Sequence, residues 1–389
     1  MSLREPPAEA PLAHLFMLLT GPTYSIEEHE PLCRLLSQRF AGELWSFGSY
    51  EADTMLGRMR LRVIREDSKL RWLNFVRFAR AVLQRAYELR RAAPQAIVVT
   101  SYEPFKGGLL ALRVARILGA PFMCEVNGVY GNPDNLAHVA STPWRALRQL
   151  QMRIIGSYVL RHADAIRLLF AKQLERFVTV RPTTVVREFP ALAYTERFAP
   201  GPEEKIVLAA GFPFMIKGTD VLVSAFRRLA PRLPEWKLVL IGHRIPEELR
   251  ARKMDDEFIQ ALPGLHQPEL ARWVARCSIL VLASRSEAMG RILIEAAAAG
   301  KCRVATRVGG IPTVIADGQD GILVPKEDVD ALARTLEWLM HDAEARRRLG
   351  AAAALRARAE FSPARYLGQF EELIRATLSS RARTESKPS

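Results

Sequence analysis

Long hydrophobic runs are missing from this chain of 389 residues. None approaches the length that crosses a bilayer although 49% of the residues are hydrophobic, and such a composition predicts a soluble globular protein. Cysteine is scarce as well: Cys33, Cys124, Cys277 and Cys302 stand far apart, with neither metal-ligand spacing nor the density of a disulfide framework, which fits a reducing cytosol. No G-x-G-x-x-G follows a strand-like run, and this sets a nicotinamide dehydrogenase aside. Gly300-Lys301 does not make a P-loop, because Glu295 occupies the first glycine's place. With no zinc-finger, RNP-like or clear helix-turn-helix signature, nucleic acid is not an expected partner.

Acidic residues are in short supply. Against 56 Lys and Arg there are 42 Asp and Glu, a net charge of +14 that favours polyanions. Much of the excess lies in the first half, from Arg58, Arg60, Arg62 and Arg65 through Arg71, Arg77, Arg80 and Arg85 to Arg91. Leu70, Trp72, Phe75, Val76 and Phe78 are interleaved with it. The pattern predicts a basic amphipathic helix near Trp72 suited to an anionic membrane surface, and it equally fits a domain helix with a solvated basic face. The expected location is therefore cytoplasmic, peripheral on the inner face of the cell membrane if that helix docks.

What is present is an alternation of apolar runs and helical patterns. In the second half, strands are expected at 206–210, 237–241, 279–283 and 303–308. Helices are expected at 218–229, 268–276, 291–299 and onward from Pro312. Short glycine-rich turns join them, the pattern of a doubly wound parallel sheet whose ligands collect at the carboxyl ends of the strands. The first half repeats the theme at 15–19, 97–100, 122–126 and 165–169; the first of these, although apolar, lacks a cleavage site and reads as a strand rather than a signal peptide. The fold class is thus α/β, with two Rossmann-like domains facing across a cleft. Residues 1–195 are expected to form the first domain and 196–365 the second, joined by a Pro-rich linker at 190–202. A helix over 366–380 is expected to return to the first domain, and 381–389 to be a disordered tail.

Within that plan the most informative stretch runs from Glu287 to Glu295, two carboxylates eight residues apart. Gly290 sits where a strand turns into a helix, and there the free amides and the positive helix end can hold a phosphate with backbone donors alone. A carboxylate beside such a site is suited to accept hydrogen bonds from sugar or ribose hydroxyls. Glu295 stands among Ile292, Leu293, Ile294 and a run of alanines, a setting in which an unpartnered glutamate is uncommon. Two further strand ends point to the same place. Gly211 to Lys217 puts a lysine beside Gly218 at a helix start, able to offer positive charge to a diphosphate, and Gly309-Gly310-Ile311-Pro312 allows a ligand or another backbone to come close.

In order, these three elements resemble the nucleotide-sugar domain of retaining glycosyltransferases of the GT-B fold, glycosyltransferase family 4. The resemblance runs through Asp317 to Pro325 and Phe361-Ser362-Pro363, and is weaker in the first half, at Gly21-Pro22-Thr23 and Arg161 to Ala165. It implies a UDP- or GDP-sugar donor used without cofactor or metal, and no Asp-x-Asp pair appears as a metal clamp. By the same resemblance Lys217 would neutralise the diphosphate. Gly21, Gly211, Met289, Gly290, Arg291 and Ile292 would line the donor site, and Glu295 would bind the ribose. Glu287 would stand at the reacting sugar, with Asn127 facing it from the first domain. The acceptor would be lipid-linked or a polysaccharide. Two positions depart from the family: Phe212 stands where an arginine usually follows the glycine, and Asn127 where a histidine is common. Arg291 is the candidate for the missing charge, and Glu125 the candidate for a base. A nucleotide-sugar epimerase and a catalytically silent relative that binds a nucleotide sugar or a partner enzyme are the alternatives.

Overall fold

The computed structural model describes residues 10–23, 26–92, 96–130, 142–175 and 177–385. The first part of the chain runs β1 (His14–Thr23), α1 (Glu30–Leu36), β2 (Ala41–Gly48), β3 (Ala52–Leu56), β4 (Met59–Arg65) and α2 (Arg71–Ala92). It continues with β5 (Ile97–Ser101), α3 (Lys106–Leu118), β6 (Phe122–Glu125), α4 (Thr142–Arg161), β7 (Ala165–Leu168) and β8 (Val185–Glu188). Among the described residues these strands form one eight-stranded sheet, ordered β3-β4-β2-β1-β5-β6-β7-β8. Every pairing is parallel except that of β3 with β4.

After an irregular connection come β9 (Glu204–Ala210), α5 (Thr219–Leu229), β10 (Lys237–Ile241), α6 (Ile245–Ala251), β11 (Ile259–Leu262), α7 (Gln267–Arg276) and β12 (Cys277–Leu282). Then follow α8 (Arg291–Ala298), β13 (Cys302–Thr306), α9 (Ile311–Val314), β14 (Ile322–Val324), α10 (Val329–His341) and α11 (Ala343–Glu360). The second sheet, β11-β10-β9-β12-β13-β14, is parallel throughout. Its strand order reverses between β9 and β12, and a doubly wound sheet leaves its ligand crevice at that switch. Lys217 follows β9 and the segment from Glu287 follows β12, so the two expected donor elements flank the crevice.

Each sheet is covered on both faces, and this explains why its central strands read as nearly unbroken apolar runs. In the first domain α2, α3 and α4 pack on one face, around Phe78, Val82, Val114, Val159 and Phe122. On the other face lie α1 and the last helix, α12 (Pro363–Glu385), which crosses back from the second domain. It seats Tyr366, Phe370, Leu373 and Ile374 against Leu15, Met17 and Phe40.

Several expectations are corrected. The basic stretch is not one helix: Arg60 and Arg62 alternate with Leu61 and Val63 in β4, a period-two pattern with its apolar positions buried, and the helix begins only at Arg71. The tail expected to be disordered from Arg381 is helical as far as Glu385, while 386–389 lie outside the described residues. Gly21-Pro22-Thr23, where the resemblance implies the glycine-bearing first loop, is the end of β1, paired with β2 after a register shift between Leu18 and Pro22.

Candidate active site

A cavity of about 420 Å³ opens between the two sheets, and its walls come from both domains. From the second domain it takes Gly211, Lys217, Glu287, Met289, Gly290, Arg291, Ile292 and Glu295; from the first and the connection it takes Tyr102, Asn127, Leu169 and Ala191. The structure thus gathers all the expected site residues around one space, Gly21 excepted, which lies at the end of β1.

Gly290 caps α8 with φ 76°, a left-handed conformation that a side chain would strain. No side chain caps this helix, so its first amides remain available to an anion. Across from them Lys217 places Nζ 2.5 Å from Oε2 of Glu287, and Ser284 donates to the same oxygen at 3.3 Å. Lysine and glutamate are each largely screened from solvent, so in the absence of ligand the expected phosphate charge and the expected sugar carboxylate neutralise one another.

The turn carrying Glu287 is held from two sides. Gly309 and Gly310 lie against it so tightly that a Cβ would come within 1.8 Å of the Glu287 carbonyl oxygen and within 2.0 Å of that of Ala288. The Gly310 amide donates to the Glu287 carbonyl at 3.3 Å. The paired glycines thus serve the approach of another backbone, one of the two options open in the sequence. On the opposite side Arg285 makes a two-pronged pair with Asp220 of α5 at 2.7 Å and donates to the Met215 carbonyl at 2.6 Å. It fastens the end of β12 to the segment that carries Lys217. Arg285 stands two residues before Glu287 and was missed, because an arginine in a polar turn reads as a solvated side chain.

Glu295 is 4% exposed, and the nearest charge is Arg291 Nε at 3.4 Å, one helical turn earlier. Burial pushes its carboxyl above the usual range, and Arg291 opposes the shift. Arg291, expected at a phosphate, thus lines the cavity with its guanidinium turned toward Glu295. Phe212 is exposed and meets His243 edge-on at 5.4 Å, contributing no charge. Met289 is buried, and its Sδ accepts from the Ala191 amide at 3.3 Å, so it ties the turn to the interdomain connection.

The first-domain wall depends on a buried ion pair absent from the expected site list. Arg167 on β7 is fully buried. It reaches Glu125 at 2.7 Å, donates to the Phe189 carbonyl at 3.3 Å and hydrogen-bonds Asn127 Oδ1. Asn127 in turn donates from Nδ2 to the Tyr102 carbonyl at 3.0 Å, so its amide is fixed at both ends. Burial works against the Arg167 charge, but Glu125 beside it, together with Tyr366 and Tyr102, tips the balance the other way and keeps the guanidinium protonated. Glu125, considered as a base, is committed to this pair and does not line the cavity. Gln173 braces the same loop by donating to the carbonyls of Val126 at 2.8 Å and Gly128 at 2.9 Å.

One Asp-x-Asp does occur, Asp328-Val329-Asp330. It is spent at the start of α10, where Asp328 accepts from the Ala331 amide and Asp330 pairs with Arg228. Neither residue lines the cavity. Among the described residues no cluster of three His, Cys, Asp or Glu is arranged to hold a metal ion.

Residues 194–356 match the family described as glycosyl transferases group 1. That match spans the second domain. A D-inositol 3-phosphate glycosyltransferase of Streptomyces bingchenggensis is 37% identical over 166 residues, which cover 39% of this chain and 36% of that protein. The chain thus spans about a third to a half of the length of the curated relatives it matches. Among solved structures, sucrose-phosphate synthase from Thermosynechococcus elongatus superposes with a TM-score of 0.73 at 18% identity, over 95% of this chain and 100% of that one. Anabaena Alr3699/HepE, in complex with UDP and glucose, gives 0.71 at 16% identity over the same shares. At such identities the likeness establishes the fold: two Rossmann-like domains in the GT-B arrangement.

Proposed function

We propose that this chain transfers a sugar from a UDP- or GDP-sugar to an acceptor hydroxyl with retention of anomeric configuration. The observation that carries the reading is the Lys217–Glu287 pair lying across from the uncapped start of α8, with Glu295 buried one turn inside that helix. The diphosphate lies against the α8 amides, and Lys217 is drawn from Glu287 toward it. Two ribose hydroxyls donate to Glu295, which gives that costly buried carboxylate partners beyond Arg291. Glu287, released from full neutralisation, accepts from hydroxyls of the transferred sugar.

In the transfer step the acceptor oxygen bonds to the anomeric carbon on the face from which the diphosphate departs. The bond from that carbon to the phosphate oxygen breaks, and the acceptor proton passes to the leaving phosphate. Lys217 and the helix amides stabilise the charge that develops there, the task a cation performs elsewhere, so the reaction calls on no metal. Asn127 orients a sugar or acceptor hydroxyl; an amide cannot take the proton. The acceptor is lipid-linked or a polysaccharide. The names of the relatives fit this reading: those proteins are glycosyltransferases, and one neighbour was solved with UDP and glucose.

A second reading rests on Phe212. With a hydrophobic ring where a cation is common in the family, the site could hold a nucleotide sugar without turning it over. Screening purified protein against nucleotide sugars by thermal shift, then measuring turnover with membrane extract and the anomeric configuration of the product by NMR, separates the two. Stabilisation and turnover with retention support the transferase, stabilisation without turnover supports the silent binder, and inversion refutes the proposed mechanism.

A further inference from the structure

The helices α2, α3 and α4 pack side by side on one face of the first sheet. Together they carry thirteen Lys and Arg and a single acid, Glu88, an excess of twelve within the three helices, of which Arg77 is paired with Asp67 and Arg85 with Glu43. Neither α3 nor α4 contains an acidic residue, so neither can neutralise its arginines internally.

The same three helices also hold most of the exposed large hydrophobic side chains. Thirteen large hydrophobic side chains are exposed among the described residues, and eight belong to these three helices. On α4 they form a line: Leu147, Leu150, Ile154 and Tyr158 recur at intervals of three and four and share one side of the helix. That side is opposite to Gly156, Val159 and Leu160, which are buried against the sheet. The helix is therefore apolar on both sides, with Arg148 and Arg153 exposed along the flanks of the outward stripe. A helix serving only its own domain needs one apolar face. Beside it Leu109 on α3 and Trp72 on α2 are also exposed, 61% in the case of Trp72.

We infer that this face docks on an anionic membrane surface, with the α4 stripe entering the headgroup boundary and the arginines of all three helices contacting lipid phosphates. A bilayer offers negative charge and apolar depth together, which matches what the face presents. A second copy of the chain would set the same basic face against itself, and a nucleic acid would leave the stripe wet. Among the described residues no helix is long and apolar enough to cross a membrane, so the attachment is superficial. All three helices begin at the carboxyl edge of the parallel strands, the edge that also carries Tyr102 and Asn127. Docking here brings the cleft rim to the lipid surface, and resting on the proposed transfer reaction, this favours a lipid-linked acceptor.

Flotation of the full chain with vesicles of phosphatidylcholine and phosphatidylglycerol in equal parts, or of phosphatidylcholine alone, tests the inference. Binding is expected to the anionic vesicles only and to weaken with salt. Leu150→Glu/Ile154→Glu and Arg148→Glu/Arg153→Glu should each weaken it about tenfold or more. Leu355→Glu, an exposed leucine on α11, should leave it unchanged. Nucleotide binding, read separately by thermal shift, should be the same in all variants, so a failed transferase reading would not be mistaken for failed docking. The inference is overturned by a soluble fraction that retains the protein at low salt, by equal loss in Leu355→Glu, or by tight binding to a single-stranded oligonucleotide in place of vesicles.

Discussion

The two walls of the cleft are built on different principles. On the second-domain side, charge is met by backbone and by short polar links: the free amides of α8, the Lys217–Glu287 pair and two glycines pressed against a turn. On the first-domain side, a fully buried guanidinium and carboxylate hold one amide, Asn127, at the cavity edge. The first arrangement leaves donors open for a ligand and gives up little stability for it. The second commits nearly all its polar groups to the fold and offers the ligand a single fixed side chain. Binding energy should therefore reside in the second domain, and the first should act through position.

The widest gap between the walls should appear on replacing Lys217. Lys217→Ala should reduce kcat/KM about 10³-fold, through loss of positive charge at the departing diphosphate, with little change in folding. A loss confined to KM would show that the lysine binds donor and transition state alike. Next in size, Arg167→Leu should cost about 3–4 kcal/mol of stability in a denaturant titration by leaving Glu125 buried without its partner. Arg167→Leu/Glu125→Leu should regain much of that loss. If the single variant proved as stable as the parent, the contrast between the walls would be broken.

Glu295 is the second-domain residue that most resembles the first wall, since burial holds its carboxyl up. Glu295→Gln should weaken nucleotide binding about tenfold while raising the stability of the ligand-free protein by about 1 kcal/mol, because a buried carboxylate that Arg291 only partly offsets is removed. The pH dependence has a definite sign. Between the ordinary carboxylate value and the raised folded value the native state holds more protons than the unfolded one, so ligand-free stability falls as pH rises through that window. Thermal melts of Glu295→Gln should lack this component, and an unchanged slope would refute the assignment. The smallest effect should belong to Asn127→Ala: a loss of a few-fold in turnover, measured at saturating donor, with unchanged nucleotide affinity.

The difference between the walls also governs what could be read from the sequence. Glu287, Gly290, Arg291 and Glu295 are neighbours in the chain, and a strand-to-helix turn keeps their chemistry within nine residues, so local pattern suffices. Arg167 and Glu125 lie on different strands that meet through sheet pairing, and nothing in the local sequence of either shows that the other is its partner. Arg60 and Arg62 were absorbed into an expected helix because their charge was more conspicuous than their alternation with Leu61 and Val63. The second apolar stripe of α4 drew no attention either: a helix apolar on two sides shows no clear period until the structure tells which side faces the sheet.

The central claim is that the second domain alone supplies the energy for holding a nucleotide. Calorimetric titration of the purified chain with UDP, GDP and ADP, repeated on Lys217→Ala and on Asn127→Ala, tests it most directly. The account predicts that one of the three nucleotides binds, that Lys217→Ala loses most of that affinity and that Asn127→Ala keeps it. Failure of all three to bind, or an Asn127→Ala loss equal to that of Lys217→Ala, would contradict it.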